Sequence, residues 1–375
     1  MALFVISFDG VKDSEFEAMA ANPAYPNISK FMKDCYYQNN VYTTFVSNTY
    51  PIHTCIATGK HPKDHGITSN LLGGSPRGDV WAQEAGLIQS RTLWDAAAEA
   101  GLSVATISWP VTCKANIKWN LPEVHLLSGQ SRIVEQLRNG STLFQLRALQ
   151  KHGKKLDGIK EPNLDDFFVS VAVDLIKEKR KSRRPDLLFL HLLAYDSICH
   201  DFGLKSKELD VARASLDISL GAIMRAAQRN DTIIIFSDHG HIDIDENIDL
   251  NIFGRGSFDM VGGSAFALKP IEGMNSVDSL DEFARFPWFG RFLTPQELEL
   301  SGYASKSSFG IAAKVGYGFA DSSSRHKANH GFPRDYPDYK VFYSIKNGKK
   351  DHSQIECDDI RAVTSIIANE LNLKM

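Results

Sequence analysis

Three apolar runs without polar alternation stand out along the chain, and each stops at an aspartate. They are Leu3-Phe-Val-Ile-Ser-Phe-Asp9, Leu187-Leu-Phe-Leu-His-Leu-Leu-Ala-Tyr-Asp196 and Thr232-Ile-Ile-Ile-Phe-Ser-Asp238. Their length and their β-branched and aromatic content predict strands buried on both faces. Between and around them the pattern shifts to helical spacing over 14–19, over 27–35 behind Pro26-Asn27, over 53–58 before Gly59, and over 92–100 before Gly101. A further strand is predicted over 102–108, an amphipathic helix over 165–179 and a closing helix over 359–371. Such alternation implies an α/β fold, a mostly parallel sheet with helices on both faces.

Two stretches break the alternation. Residues 123–160 are polar and lysine-rich, and residues 245–318 are glycine-rich and irregular, with the aromatic cluster Phe286-Pro-Trp-Phe289. Both are read as insertions, the second as short antiparallel strands forming a small cap or lid. The expected organisation is one catalytic domain over 1–375 carrying these two insertions.

At 375 residues the chain can bury a large core. A net charge of −3 provides no basic excess to neutralise phosphates, which sets aside a nucleic-acid-binding surface. The densest basic run, Lys177 to Arg184, is expected to close a helix and face water. Five cysteines (Cys35, Cys55, Cys113, Cys199, Cys357) leave an odd one and form no CxxC pair, which points to a reducing compartment. The first apolar run lacks a positive leader and ends on Asp9, so it reads as a strand and not a signal segment. No run reaches membrane-spanning length. The expectation is a soluble cytoplasmic protein without a membrane partner; its oligomeric state is not legible here.

In open α/β sheets ligands bind beyond the carboxyl ends of the strands. Three carboxylates gathered there repel one another unless a cation lies between them. Asp196 and His200 stand four apart, a spacing that puts both on one side of a helical turn. Asp238 and His239 are adjacent after the third run, Asp9 ends the first, and His330 lies in the turn-like Asn329-His330-Gly331. Any one of these aspartates has an alternative as a helix N-cap, and a lone buried histidine is commonly a core residue. Six together form a set suited to divalent ions, zinc first.

The sequence also resembles a known family. Phe8-Asp9-Gly10, Ser47-Asn48-Thr49-Tyr50-Pro51-Ile52-His53, Thr58-Gly59-Lys60-His61-Pro62, His65-Gly66-Ile67, Asn70, Ser108-Trp109-Pro110, Asp196 to His200, Asp217, Ser237-Asp238-His239-Gly240 and His330-Gly331 follow one another in order. They resemble the type I phosphodiesterase/nucleotide pyrophosphatase branch of the alkaline phosphatase superfamily. The resemblance implies an alkaline-phosphatase-like fold and a hydrolase of phosphodiester or pyrophosphate bonds in small nucleotide-type substrates. It implies a two-zinc centre, with manganese or another divalent ion as the alternative. Asp196, His200 and His330 would hold one ion. Asp9, Asp238, His239 and the Thr49 oxygen would hold the other, with Thr49 as nucleophile forming a phospho-threonine intermediate. Asn70 would donate to a non-bridging phosphate oxygen, its neutral amide suiting a diester.

Tyr50 and Trp109 are candidates to stack on a leaving-group base, with a core position near a strand end as the alternative for the Trp109-Pro110 pair. His241, where relatives commonly carry methionine, is read as an exposed turn residue with a supporting role as the alternative. Arg325 and Lys327 are read as solvated or anion-binding. Phosphonoacetate-type or monoester hydrolysis, and a metal-binding pseudoenzyme, are the competing functions. Sulfatase chemistry is disfavoured because Thr49-Tyr-Pro-Ile-His lacks the required arginine.

Overall fold

The computed structural model describes residues 2–72, 80–156, 162–249, 258–268, 283–304, 309–320, 325–352, 355 and 358–375. Seven strands form its central sheet: β1 (Leu3–Phe8), β2 (Cys35–Val41), β3 (Val104–Ile107), β4 (Trp119–Leu121), β5 (Leu187–Leu192), β6 (Thr232–Phe236) and β7 (Val341–Lys346). Their order is β2-β7-β6-β1-β5-β3-β4. All neighbours pair in parallel except β7, which runs antiparallel to both β6 and β2. β1 therefore lies mid-sheet between β5 and β6, which explains its uninterrupted burial.

Alternate residues of these strands feed two cores. Phe4, Ile6 and Phe8 pack with Leu188, Leu190 and Ile235 under the helices Asn163–Lys177 and Glu208–Ala226. Leu3 and Val5 pack with Phe189, Ile234 and Phe236 under the helices Thr49–Thr58 and Ala362–Leu371. The period-2 switch of a strand thus builds a helix layer on each face.

Several expectations shift. The second apolar run leaves the sheet at Leu192 and turns into the helix Ala194–Phe202, so Asp196 lies in a first helical turn and not at a strand end. The helix expected over 53–58 starts at Thr49. Pro51 is tolerated in its first turn because amides there have no intrahelical acceptor. Residues 123–160 hold the helices Arg132–Asn139 and Thr142–His152, and 157–160 lie outside the described residues.

Arg184 departs furthest from expectation. It is buried, with Nε donating to the Ile176 carbonyl and the guanidinium gripping Asp231 through both carboxylate oxygens. Within 245–318, where 250–257, 269–282 and 305–308 lie outside the described residues, four antiparallel strands form a separate sheet in the order Phe258–Gly262, Ala265–Leu268, Phe309–Ala313, Phe289–Phe292. Ala265 and Ala267 of that sheet pack on Phe45 and Val46, beside the Ser47–Thr49 segment.

Candidate active site

The carboxyl edge of the sheet gathers the expected residues. Asp9 follows β1, and Asp238 and His239 follow the adjacent β6. Thr49, the first residue of its helix, brings Oγ1 to 3.3 Å from His239 Nε2. That same Nε2 lies 3.3 Å from Asp9 Oδ1 and 3.3 Å from Asp238 Oδ2.

A second group sits alongside. His200 Nε2 is 3.5 Å and His330 Nε2 3.9 Å from Asp196 Oδ1. The rings of His239 and His330 stack with centroids 3.9 Å apart, joining the two groups. Gly10 permits the closeness: its φ of +74° is costly for other residues, and a Cβ there would fall 2.4 Å from the His241 ring.

The donor set fits divalent cations. Asp9 Oδ1, Asp196 Oδ1 and Asp238 Oδ2 are buried without a hydrogen-bond partner, and each faces an imidazole nitrogen. An orphaned buried carboxylate oxygen is costly, and a cation in each of the two groups would satisfy all three. Burial, followed by repulsion from Asp196 and Asp238, pushes the Asp9 carboxyl well above the usual range. Burial also lowers His239 to about 3 and His200 to about 4, keeping both imidazoles neutral, the form that binds metal. Hydroxyl, carboxylate and imidazole are the donors of zinc and related ions.

The surrounding polar network includes residues that were not singled out from the sequence. His191, one residue from the carboxyl end of β5, faces the Asp9 Oδ2 carboxylate oxygen at 2.9 Å through Nε2 and the Ser108 carbonyl at 3.1 Å through Nδ1. Glu123 lies 3.5 Å from the same Nδ1. Both nitrogens therefore face acceptors. Burial alone would lower this imidazole, but the bonds to Asp9 and Glu123 raise it well above its ordinary value. The only trace of it in the sequence is a histidine interrupting an apolar strand.

His53 donates from Nδ1 to the Thr49 carbonyl at 2.8 Å, and its Nε2 lies 2.9 Å from Ser7 Oγ. Asp165, from the helix Asn163–Lys177, accepts the Leu193 and Ala194 amides at 3.0 Å each and so caps the helix carrying Asp196 and His200. Asp217 does the same for the helix Pro26–Lys33, accepting the Asn27 and Ile28 amides at 2.8 Å.

Asn70 reaches the site through Tyr50, whose amide donates to Asn70 Oδ1 at 2.9 Å. With Oδ1 held, Nδ2 is the end that can donate to a ligand. Tyr50 and Trp109 are not at the cleft surface: both are 0% exposed. Trp109, just past the end of β3, packs 4.8 Å from the rings of His53 and Phe189, and Tyr50, in the first turn of the helix Thr49–Thr58, packs 5.2 Å from Trp81. His241 is fully buried and not an exposed turn residue; its Nε2 lies 3.0 Å from Asp196 Oδ1. Arg325 and Lys327 are exposed.

The sequence model described as type I phosphodiesterase/nucleotide pyrophosphatase matches residues 3–276. Venom phosphodiesterase 2 of Crotalus adamanteus is 26% identical over 259 residues, covering 64% of this chain and 26% of its own length. Human ectonucleotide pyrophosphatase/phosphodiesterase family member 1 is 24% identical over 226 residues, covering 57% of this chain and 21% of its own. The chain thus spans about a quarter of the length of the curated relatives it matches.

Among solved structures, murine ectonucleotide pyrophosphatase/phosphodiesterase 5 superposes with a TM-score of 0.70 at 18% identity, covering 100% of this chain and 96% of that one. Phosphonoacetate hydrolase from Sinorhizobium meliloti 1021, in complex with phosphonoformate, gives 0.67 at 14%, covering 99% and 96%. At such identities these two establish a shared fold.

Proposed function

The chain belongs to the type I phosphodiesterase/nucleotide pyrophosphatase family, and on that premise we propose that it is a divalent-metal-dependent hydrolase cleaving phosphodiester or pyrophosphate bonds of nucleotide-type small molecules, with Thr49 as nucleophile. The observation that carries this reading is the meeting of two Asp/His donor groups, each with its ligand atoms within 4.8 Å of one another, beside the Thr49 hydroxyl. Asp196, His200 and His330 would hold one ion. Asp9, Asp238, His239 and Thr49 Oγ1 would hold the other, zinc by preference and manganese as the alternative. Bound there, such ions lower the pKa of a hydroxyl and stabilise charge on a leaving oxygen.

The protein's own groups set the geometry. Thr49 Oγ1 attacks phosphorus, the new O–P bond forms and the bond to the leaving oxygen breaks, so the phosphoryl group is esterified to Thr49. Water then attacks the same phosphorus, the Thr49 O–P bond breaks and the hydroxyl returns. The amides of the first turn after Asn48 and the helix dipole favour the phosphate anion. Asn70 Nδ2, oriented by the Tyr50 amide, supplies a neutral donor to a non-bridging oxygen, which suits a singly charged diester; a cationic side chain would suit a monoester better.

The venom phosphodiesterases support the bond type. A murine structure described as an inactive threonine-to-alanine variant in complex with AMP supports a nucleotide-type substrate and an essential threonine. The reading extends to a reducing, cytoplasmic setting, supported by the unpaired Cys35, Cys55, Cys113 and Cys199.

Zinc-reconstituted protein assayed on an aryl phosphodiester, a nucleoside triphosphate, an aryl monoester and phosphonoacetate tests the proposal. The diester or triphosphate should turn over fastest, and Thr49→Ala should keep its metal while losing at least about a thousandfold in kcat. Faster monoester or phosphonate turnover, metal binding without turnover, or full activity in Thr49→Ala would overturn it.

A further inference from the structure

His241 is unused by the reading above, yet it is placed as the ligands are. It is fully buried, and its Nε2 has no hydrogen-bond partner. Asp196 Oδ1, 3.0 Å away, has none either. The ring's other nitrogen, Nδ1, lies 3.3 Å from the Gly10 carbonyl, an atom that only accepts, so Nδ1 carries the proton in that bond. In the neutral ring Nε2 then presents a lone pair to a carboxylate lone pair in a buried site. Two such acceptors cannot satisfy each other; a cation between them satisfies both.

The same orientation recurs in the two histidines already assigned to this group. His200 Nδ1 donates to the Ala328 carbonyl at 2.9 Å and His330 Nδ1 to the Ser47 carbonyl at 3.1 Å, each leaving Nε2 toward Asp196. Holding Nδ1–H on a backbone carbonyl is how proteins fix the tautomer and aim of a ligating imidazole. The ligand atoms of Asp196, His200, His241 and His330 all lie within 4.8 Å of one another. Tetrahedral ligands at about 2.0–2.1 Å stand roughly 3.3–3.4 Å apart, and the 3.0, 3.5 and 3.9 Å separations from Asp196 Oδ1 bracket that value.

We infer that His241 is a fourth protein ligand of the Asp196/His200/His330 ion, so that this group holds its metal with one carboxylate and three imidazoles. The inference rests on the two-metal reading and refines one of its sites. This ion then has a full set of four protein donors and is the harder of the two to strip, whereas the ion at Asp9, Asp238 and His239 completes its set with the Thr49 hydroxyl. Gly10 is part of the device, since a Cβ at that position would collide with the His241 ring.

The test measures metal binding apart from turnover. Metal-free protein is titrated with Zn²⁺ in a metal buffer, and the Co²⁺-loaded form is examined by proton NMR for far-shifted, exchangeable imidazole N–H signals. In His241→Met one equivalent should bind more than about a hundredfold more weakly, beyond the roughly 10–100-fold of an outer partner, while the other equivalent is unchanged. One far-shifted N–H signal should vanish and the rest remain. His241→Gln, a polar replacement, should behave alike if the methionine variant does not fold. Two unchanged equivalents and an unchanged set of N–H signals would overturn the assignment, as would an affinity loss with every N–H signal retained. His200→Ala separates the two levels: if it too leaves both equivalents tightly bound, the two-metal reading fails, and if it loses one while His241→Met does not, only the role of His241 fails.

Discussion

Replacing Asp165 should loosen the metal centre without touching any ligand. This carboxylate is buried at 1% exposure and accepts two amides, Leu193 and Ala194, at 3.0 Å each. Those amides are among the four at the start of the helix Ala194–Phe202 that lack intrahelical partners; Asp196 lies in that same first turn and His200 in the last. Asp165→Ala leaves the buried Ala194 donor and the half-buried Leu193 donor unsatisfied at about 1–3 kcal/mol each, and losing a carboxylate at a helix N-terminus removes about 0.3–1 kcal/mol more, so the expected cost is about 2–7 kcal/mol. Asp165→Asn keeps one acceptor and turns an NH₂ toward the other amide, so it should cost about half as much.

Urea unfolding of metal-free protein measures the loss, and hydrogen exchange locates it. Amides of 194–202 should exchange faster than those of β1 and β6. Zn²⁺ affinity should fall roughly 10–100-fold, as it does when ligands lose their supporting partners. A loss under about 1 kcal/mol with unchanged exchange at 194–202 would refute the reasoning, because the two bonds would then have no energetic role.

Two further outcomes follow from the same geometry. Asn70→Ala should lower kcat on a phosphodiester about a hundredfold, as loss of one preorganised donor does, while metal content stays at wild-type level; an unchanged kcat would remove Asn70 from the site. His65 is buried, accepts the Ile67 amide at Nδ1, and is pushed down to about 3 by burial and then by His61. A histidine with a depressed folded pKa contributes fully above its unfolded pKa near 6.5, and that contribution is lost as pH falls toward 3. Stability should therefore decline by about 1.4 kcal/mol per pH unit from this group below pH 6.5. Urea unfolding at pH 7, 6 and 5 should show a shallower decline in His65→Gln; identical slopes would contradict it.

Much of this centre could be read from residue order because its chemistry is local. Asp9 and Asp238 each close a buried apolar run, which puts both at the carboxyl edge of a sheet, and the pairing of β1 with β6 brings them side by side; the four-residue spacing of Asp196 and His200 fixed their common side on a helix. What escaped was non-local. His191 acquires its meaning only when β5 docks beside β1 and its ring meets Asp9. Asp165 caps a helix that begins 29 residues further along the chain. His241 was misjudged because its neighbours in sequence suggest a turn, whereas the Gly10 carbonyl and Asp196, far away in the chain, enclose it. Trp109 and Tyr50, candidates for substrate stacking by their place beside the site motifs, show the converse: packing on His53, Phe189 and Trp81 claims them for the core. Arg184, read as one of a solvated basic run, is drawn inward by Asp231.

The central claim is that Thr49 becomes covalently bonded to phosphorus. Its most direct test is rapid acid quench of the zinc-reconstituted protein during turnover of an aryl nucleotide diester, followed by peptide mass analysis. The account predicts a nucleotidyl adduct on the peptide containing Thr49, absent in Thr49→Ala and lost on completion of turnover. Turnover at full rate with the Thr49 peptide unmodified at every quench time would contradict it.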